Sequence, residues 1–446
     1  MTPRSRAIGL PTPPHHPPKG PRVKRPTRGL GLPGPALFLC TALVLSACGA
    51  QSTSVGGGGD SGEAAELVAV PGFDPDAGTI TVGNIIALSG PISATAKEQL
   101  QGQQAWYDAV NAEGGVAGEY QIEMITADNQ YDAQQSVQAY QQIKDEVVML
   151  SGILGTPSVK ALVPILNRDE ALAVPSNQAA ELRTEPSLVP TFPSYQTNVV
   201  NAIAYLNEQD PAMADAKYCG LAYENDWGAA VEEGLTFATE QLGTEVTAMQ
   251  FYAPLDTALT AQVQALKEAG CEVVAFGGAP NNTAPMVAAA TQLDFKPQWI
   301  AEFIANTVAF SGTPIAQYLA ENVIFTGPGA DLSDDSVEGV ANLKAALGDT
   351  PLTIQHVYGY IQAVAVTTVL EKAIELGDLS GPGLRAASTE LEEIDFQGLN
   401  SPLVLGEPDE RQLPKGSTIY KYDPSTPYGL TAVASQYEAE ESDPNF

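Results

Sequence analysis

From residue 79 onward, short apolar runs alternate with stretches whose apolar positions recur at helical spacing. Residues 79–88, 120–127, 147–153 and 171–175 read as near-continuous apolar strands. The intervening residues 97–113 and 133–145 carry a helical pattern, and Gly114-Gly115 ends the first of them. A further helix is predicted after Thr156-Pro157, where Thr156 suits the cap and Pro157 the first turn. Strands without polar alternation, joined by helical crossovers, imply a parallel sheet covered on both faces.

The pattern then restarts. Strands are expected at 217–223, 246–252, 271–277 and 298–302, with helices at 229–242, 260–269 and 283–293. A long helix over 354–376 and a strand-rich tail over 403–423 complete the chain. Two βα series of similar length imply an α/β protein of two doubly wound, Rossmann-like lobes. In such a lobe the first strand neighbours the third, which sets Cys219 and Cys271 near the same ends of adjacent strands. They form either a disulfide or a pair of buried thiols.

The first 48 residues follow a different rule. They hold seven Lys or Arg, no acidic residue, and an apolar run from Ala36 to Leu45. A basic segment, a short apolar core and a small-residue exit describe a secretory signal, and ten apolar residues are too few to span a bilayer. Leu45-Ser46-Ala47-Cys48 resembles a bacterial lipobox, which implies lipidation at Cys48 and an anchor on the outer face of the cytoplasmic membrane. The alternative is an ordinary signal peptide that contains a cysteine. The Pro-rich start also allows translation from a codon downstream of Met1. Residues 49–78, with Gly56 to Gly59 in a row, are too poor in apolar groups to fold and read as a flexible tether. Folding therefore starts near Thr79, over a length that suits two domains.

Charge narrows the partners. Without the leader, 14 Lys and Arg face 53 Asp and Glu, a formal charge of −39. That field repels nucleic acid and anionic lipid, so neither is an expected partner. His356 is the one histidine beyond the leader, and no His/Cys group has metal-ligand spacing, so neither a metal nor another cofactor is expected. No G-x-S-x-G elbow, Walker A loop or dinucleotide fingerprint occurs.

Several segments now resemble a known family. Ala87-Leu88-Ser89-Gly90-Pro91 and Asn111 to Gly118 are similar to the opening of periplasmic binding proteins of the branched-chain amino acid type. Ser151 to Thr156, Ala173 to Asn177, Glu224-Asn225-Asp226-Trp227-Gly228 and Phe396 to Pro402 continue the resemblance in order. It implies the type I fold of that family, with a three-segment hinge crossed near Ser194, Gly327 and Leu403. Lobe 1 would then hold residues 79–193 and 328–402, and lobe 2 residues 194–327 and 403–446. It also implies a solute receptor, not an enzyme, that delivers a small amino acid or amide-like solute to ABC permease subunits. The alternatives are a sensor domain signalling to a membrane partner and a secreted hydrolase. A monomer is expected, since each chain closes its own cleft.

Ligands of open α/β sheets lie beyond the carboxyl ends of the strands. That rule and the resemblance together select Ser89, Gly155, Thr156, Ser176, Asn177 and Gln178 in the first lobe. The Gly155-Thr156 turn opens a helix whose N–H groups and hydroxyl suit a carboxylate or amide oxygen, although a plain N-cap would use Thr156 equally well. In the second lobe the resemblance implies Trp227 over the ligand body, Ala279 where the family often has an aromatic, and Glu302 as partner to an ammonium. The Ala279 departure weakens the expectation of a free α-amino acid.

Overall fold

The computed structural model describes residues 67–426, 428–440 and 446. The leader, Cys48 and the Gly56–Gly59 run lie outside the described residues. Among the described residues no helix is long and apolar enough to cross a membrane.

Two main sheets organise the body. In the first, Thr79–Ile86 is central, parallel to Gln121–Asp128 on one side and to Leu150–Ile153 on the other. Bridges Leu150↔Ala173 and Leu154↔Ser176 extend that edge, so the strand expected at 171–175 survives only as isolated pairs. The second sheet runs Leu430–Tyr437, Ser417–Tyr422, Val323–Gly327, Gln298–Glu302, Val273–Gly277, Tyr218–Tyr223, Ala248–Tyr252. Its last five strands are parallel, and the Ser417 strand joins Val323–Gly327 antiparallel. Cys219 and Cys271 are joined by a disulfide at the start of this lobe's central strands, with Cα atoms 5.9 Å apart.

The chain leaves the first sheet once, and no later strand of the described residues rejoins it. After Ser194, whose hydroxyl caps the Tyr195–Gln209 helix, it moves to the second sheet. After Val323–Gly327 it runs through Glu338–Leu347 and Ile354–Leu376, which packs on Ser93–Ala112, and it rejoins the second sheet at Ser417–Tyr422. The Ile354–Leu376 helix is buried on every side over residues 354–367, where apolar residues occupy all its faces. It packs on Ser93–Ala112, and glycine on both helices makes the approach possible. A Cβ on Gly102 would lie 1.9 Å from the His356 carbonyl oxygen, and one on Gly359 equally close to that of Gln99.

Two expectations need correction. The tether was expected to reach residue 78, yet Phe73–Asp74 pairs with Thr79–Ile80 and the Phe73 ring is buried against Tyr120 at 5.1 Å. Burying one phenylalanine is worth about 2 kcal/mol, and Leu67 and Val70 before it also pack against the core. The tail also differs from the expected 403–423. Leu403–Val404 pairs with Glu393–Ile394, and the long final strand lies beyond, at Leu430–Tyr437. Helices Tyr195–Gln209, Ile315–Asn322, Glu338–Leu347 and Gly381–Glu390 were not expected.

A cleft between the two sheets

Loops at the carboxyl ends of strands from both sheets meet around a narrow cleft lined by fourteen residues. Ile92 and Thr95 come from the start of the Ser93 helix, Tyr131 follows the Gln121 strand, and Leu154 to Thr156 follow the Leu150 strand. From the second sheet, Trp227 follows the Tyr218 strand, and Phe303 and Ile304 follow Gln298–Glu302. Tyr195, Gln355 and Tyr358 come from the helices that carry the chain between sheets.

Of the residues selected from sequence, the structure brings together Gly155, Thr156, Ser176 and Trp227. Gly155 needs its φ of 104°, and a Cβ there would meet the Tyr131 ring at 2.9 Å. It, not Thr156, occupies the cap position, and the Thr156–Arg168 helix has no side-chain cap at all. The expected capping role for Thr156 is therefore overturned. Its hydroxyl is buried and within range of the Tyr195 hydroxyl, but makes no hydrogen bond of ordinary geometry. The Trp227 indole N–H is likewise buried without a partner, while its ring lies 5.2 Å from Tyr223 and 5.8 Å from Tyr195.

Ser176 reaches the cleft wall with its hydroxyl already engaged. Gln99 Nε2 donates to it at 2.6 Å and Gln362 Nε2 at 3.1 Å. The same amides continue inward: Gln103 Nε2 donates to Gln362 Oε1 and to the Ser151 carbonyl, and Asn84 Nδ2 donates to Gln103 Oε1. This buried ladder holds Gln99 and Ser176 in place, although Asn84 Oδ1 at its inner end has no partner.

The other selections fall elsewhere. Ser89 is exposed and holds its own loop, donating from Oγ to Asp128 Oδ2 at 2.6 Å. Burial works to raise the Asp128 pKa, but these hydrogen bonds prevail and hold it below the usual carboxylate range. Asn177 and Gln178 are buried behind the wall, where Gln178 Oε1 accepts from Asn198 and its carbonyl from the Tyr195 N–H. Ala279 caps the Pro280–Gln292 helix, and its carbonyl is occupied by Thr283. Glu302 is also behind the wall, 2 % exposed, with Oε2 accepting from Asn198 Nδ2 at 3.3 Å and Oε1 unpartnered. Burial pushes its carboxyl well above the ordinary range, against the weaker opposing effect of the Asn198 bond. The wall positions go to Phe303 and Ile304, the two residues after it.

Apart from Trp227, the aromatic lining escaped sequence reasoning. Tyr358 sits in the second turn of its helix, stacked on Phe192 at 3.6 Å between ring centres and on Phe303 at 5.3 Å. Nothing local separates it from the other buried aromatics of that helix. Tyr131 carried a usable signal: like Gln130 beside it, it follows a strand end and adopts a positive φ, here 61°.

The sequence matches the Periplasmic binding protein family over residues 79–426, and the chain belongs to that family. A curated relative from Brucella melitensis, named Leu/Ile/Val-binding protein homolog 3, is 26% identical over 200 residues. That alignment covers 45% of this chain and spans only 54% of the relative's length. A solved structure described as a fatty acid ABC transporter substrate-binding protein from Thermomonospora curvata is 26% identical, with a TM-score of 0.77. It covers 84% of this chain and 95% of its own. A branched-chain amino acid ABC transporter protein from Thermus thermophilus with bound valine shares the fold at 16% identity, with a TM-score of 0.70 over 81% and 97% of the two chains. These relatives are binding proteins rather than enzymes. Among the described residues no cluster of His, Cys, Asp and Glu could hold a metal ion.

Proposed function

We propose that the chain is the extracytoplasmic receptor of an ABC importer, capturing a small organic acid or amino acid by closing two lobes over it. Residues 79–193 and 328–402 form one lobe in this reading, and 194–327 with 403–446 the other. The observation that carries it is the cleft itself. Both sheets contribute its walls, and two buried polar atoms that make no hydrogen bond of ordinary geometry, Thr156 Oγ1 and Trp227 Nε1, belong to opposite sides. Native proteins satisfy such atoms, so a bound solute is the natural complement. Membership of the family and the names of the two solved relatives support transport as the purpose.

Closure needs contacts that form across the gap. Lys160 Nζ, on the Thr156 helix, lies 2.7 Å from Asp226 Oδ1 on the facing helix and 2.8 Å from Glu181 Oε1. Burial alone would lower the Lys160 pKa, yet these two acids raise it. Anchoring through a lipid on Cys48 belongs to the same reading and rests on the leader sequence.

The direct test is to denature the purified chain, identify any released small molecule by mass spectrometry, and add it back during X-ray scattering. A receptor returns the solute chemically unchanged, and its radius of gyration falls on binding. A solute that is consumed, or the lack of any solute that alters shape or melting temperature, would sink the proposal. Cys48→Ala should move the protein from the membrane to the soluble fraction.

A further inference from the structure

The lining of the cleft narrows the chemical class of its solute, an inference that rests on the receptor reading. None of the fourteen residues around it is Asp, Glu, His, Lys or Arg. One side is apolar and aromatic, made by Trp227, Phe303, Ile304 and Tyr358. The other collects hydrogen-bond donors. Two helices of 20 and 13 residues, Ser93–Ala112 and Thr156–Arg168, point their N-termini at it, and neither has a side-chain cap. First-turn N–H groups lack intrahelical partners and favour an anionic oxygen. The buried, unpartnered Thr156 hydroxyl stands at the second of these ends, and Trp227 Nε1 can only donate. The facing Asp226 helix is closed, because Asn225 Oδ1 accepts from the N–H groups of Trp227 and Gly228.

An α-amino group would find no such reception. The buried Glu302 carboxyl stands outside the lining, and burial pushes its pKa well above the ordinary range. With no carboxylate in the lining, an ammonium ion would be buried unpaired, which is costly. The negative field of the whole chain opposes any anion, but salt screens it within roughly 8 Å, whereas hydrogen bonds at the cleft act at contact. Local donors therefore decide.

We propose that the cleft takes a carboxylic acid with an apolar or aromatic body and no amino group, its carboxylate held at the Ser93 and Thr156 helix ends. Two matched pairs test this by calorimetry on the full chain: 3-phenylpropanoate against phenylalanine, and 4-methylpentanoate against leucine. The members of each pair differ only in the amino group. At least one acid should bind about tenfold or more tightly than its amino acid. Thr156→Val should weaken that acid about tenfold, and Thr156→Ser, which keeps the hydroxyl, should restore it. Glu302→Gln should change its affinity less than about threefold, because only the capacity to ionise is removed. Tighter binding of either amino acid, a large loss in Glu302→Gln, or an indifferent Thr156→Val overturns the acid assignment. So does binding by neither pair while mass spectrometry recovers another class of solute, an outcome that leaves the receptor intact. If no solute of any class alters shape or melting temperature, the receptor reading is what fails.

Discussion

The two walls of the cleft solve different problems. The wall from the first sheet is a polar frame: a buried ladder from Asn84 through Gln103, Gln362 and Gln99 to Ser176, with two uncapped helix ends beside it. The wall from the second sheet is aromatic and apolar, and its one exposed helix end is capped by Asn225. Rigidity comes from hydrogen-bonded amides on one side and from ring packing on the other. The difference teaches that polarity at a binding site need not mean charge. Donors left over from helix geometry are enough to orient an oxygen, while the opposite wall supplies area.

The sharpest way to break the polar wall is to separate its two helices. Gly359→Val would drive a side chain into the Gln99 carbonyl, which a Cβ already approaches to 1.9 Å. A loss of about 3 kcal/mol or more is expected, seen as a lower denaturation midpoint or as failure to fold. An unchanged midpoint would show that the two helices part without cost.

The second sheet has a covalent support that the first lacks. Cys219 and Cys271 close a loop with a separation of 52 residues, and replacing both by Ala should cost about 2–4 kcal/mol. Melting with and without reductant reads this directly. An unchanged melting temperature would show that strand packing alone holds that side.

A pH experiment addresses the polar wall again. His356 Nδ1 accepts from the Thr353 N–H at 3.1 Å, and Nε2 lies 3.0 Å from Gln101 Oε1, an arrangement that suits neutral imidazole. Burial lowers its pKa from 6.5 to about 4. The unfolded chain thus takes up a proton near pH 6.5 that the folded chain resists, so stability is lost as pH falls from 6.5 to 4. A depression of that size corresponds to roughly 3 kcal/mol. Glu98, raised by burial beside Thr353, acts in the opposite sense. The measurable quantity is therefore the difference between the wild type and His356→Gln, whose melting temperature should fall less over this interval.

The smallest effect lies where the walls meet. Lys160→Ala removes a partly exposed ion pair with Asp226 and Glu181, worth less than about 1 kcal/mol. Ligand affinity should drop only a few fold, with the loss fading at high salt. A collapse of binding would instead make the pair essential to closure.

The alternation of strand and helix was legible because a parallel strand must be apolar on both faces, and helices such as Thr260–Ala269 and Ile354–Leu376 fall at the residues their spacing indicated. Gly155 and Thr156 were legible for a related reason, since a strand followed by Gly-Thr-Pro marks a helix opening at the end of a sheet. The short helices were not. Glu338–Leu347 packs on the Ser93 and Ile354 helices, and Gly381–Glu390 on the Ile354 helix just before it.

The sequence by itself determined the α/β class, the restart into a second sheet, and which strand ends face the ligand, because these follow from periodicity and chain order. Tertiary structure alone decided who stands in the cleft. Whether a wall position goes to Glu302 or to Phe303 depends on one residue of register at a strand end. Whether Tyr358 faces the solute depends on the azimuth at which a helix buried on every side meets its neighbours. Neither leaves a local mark, since burial removes the polar–apolar contrast that would show which face looks where.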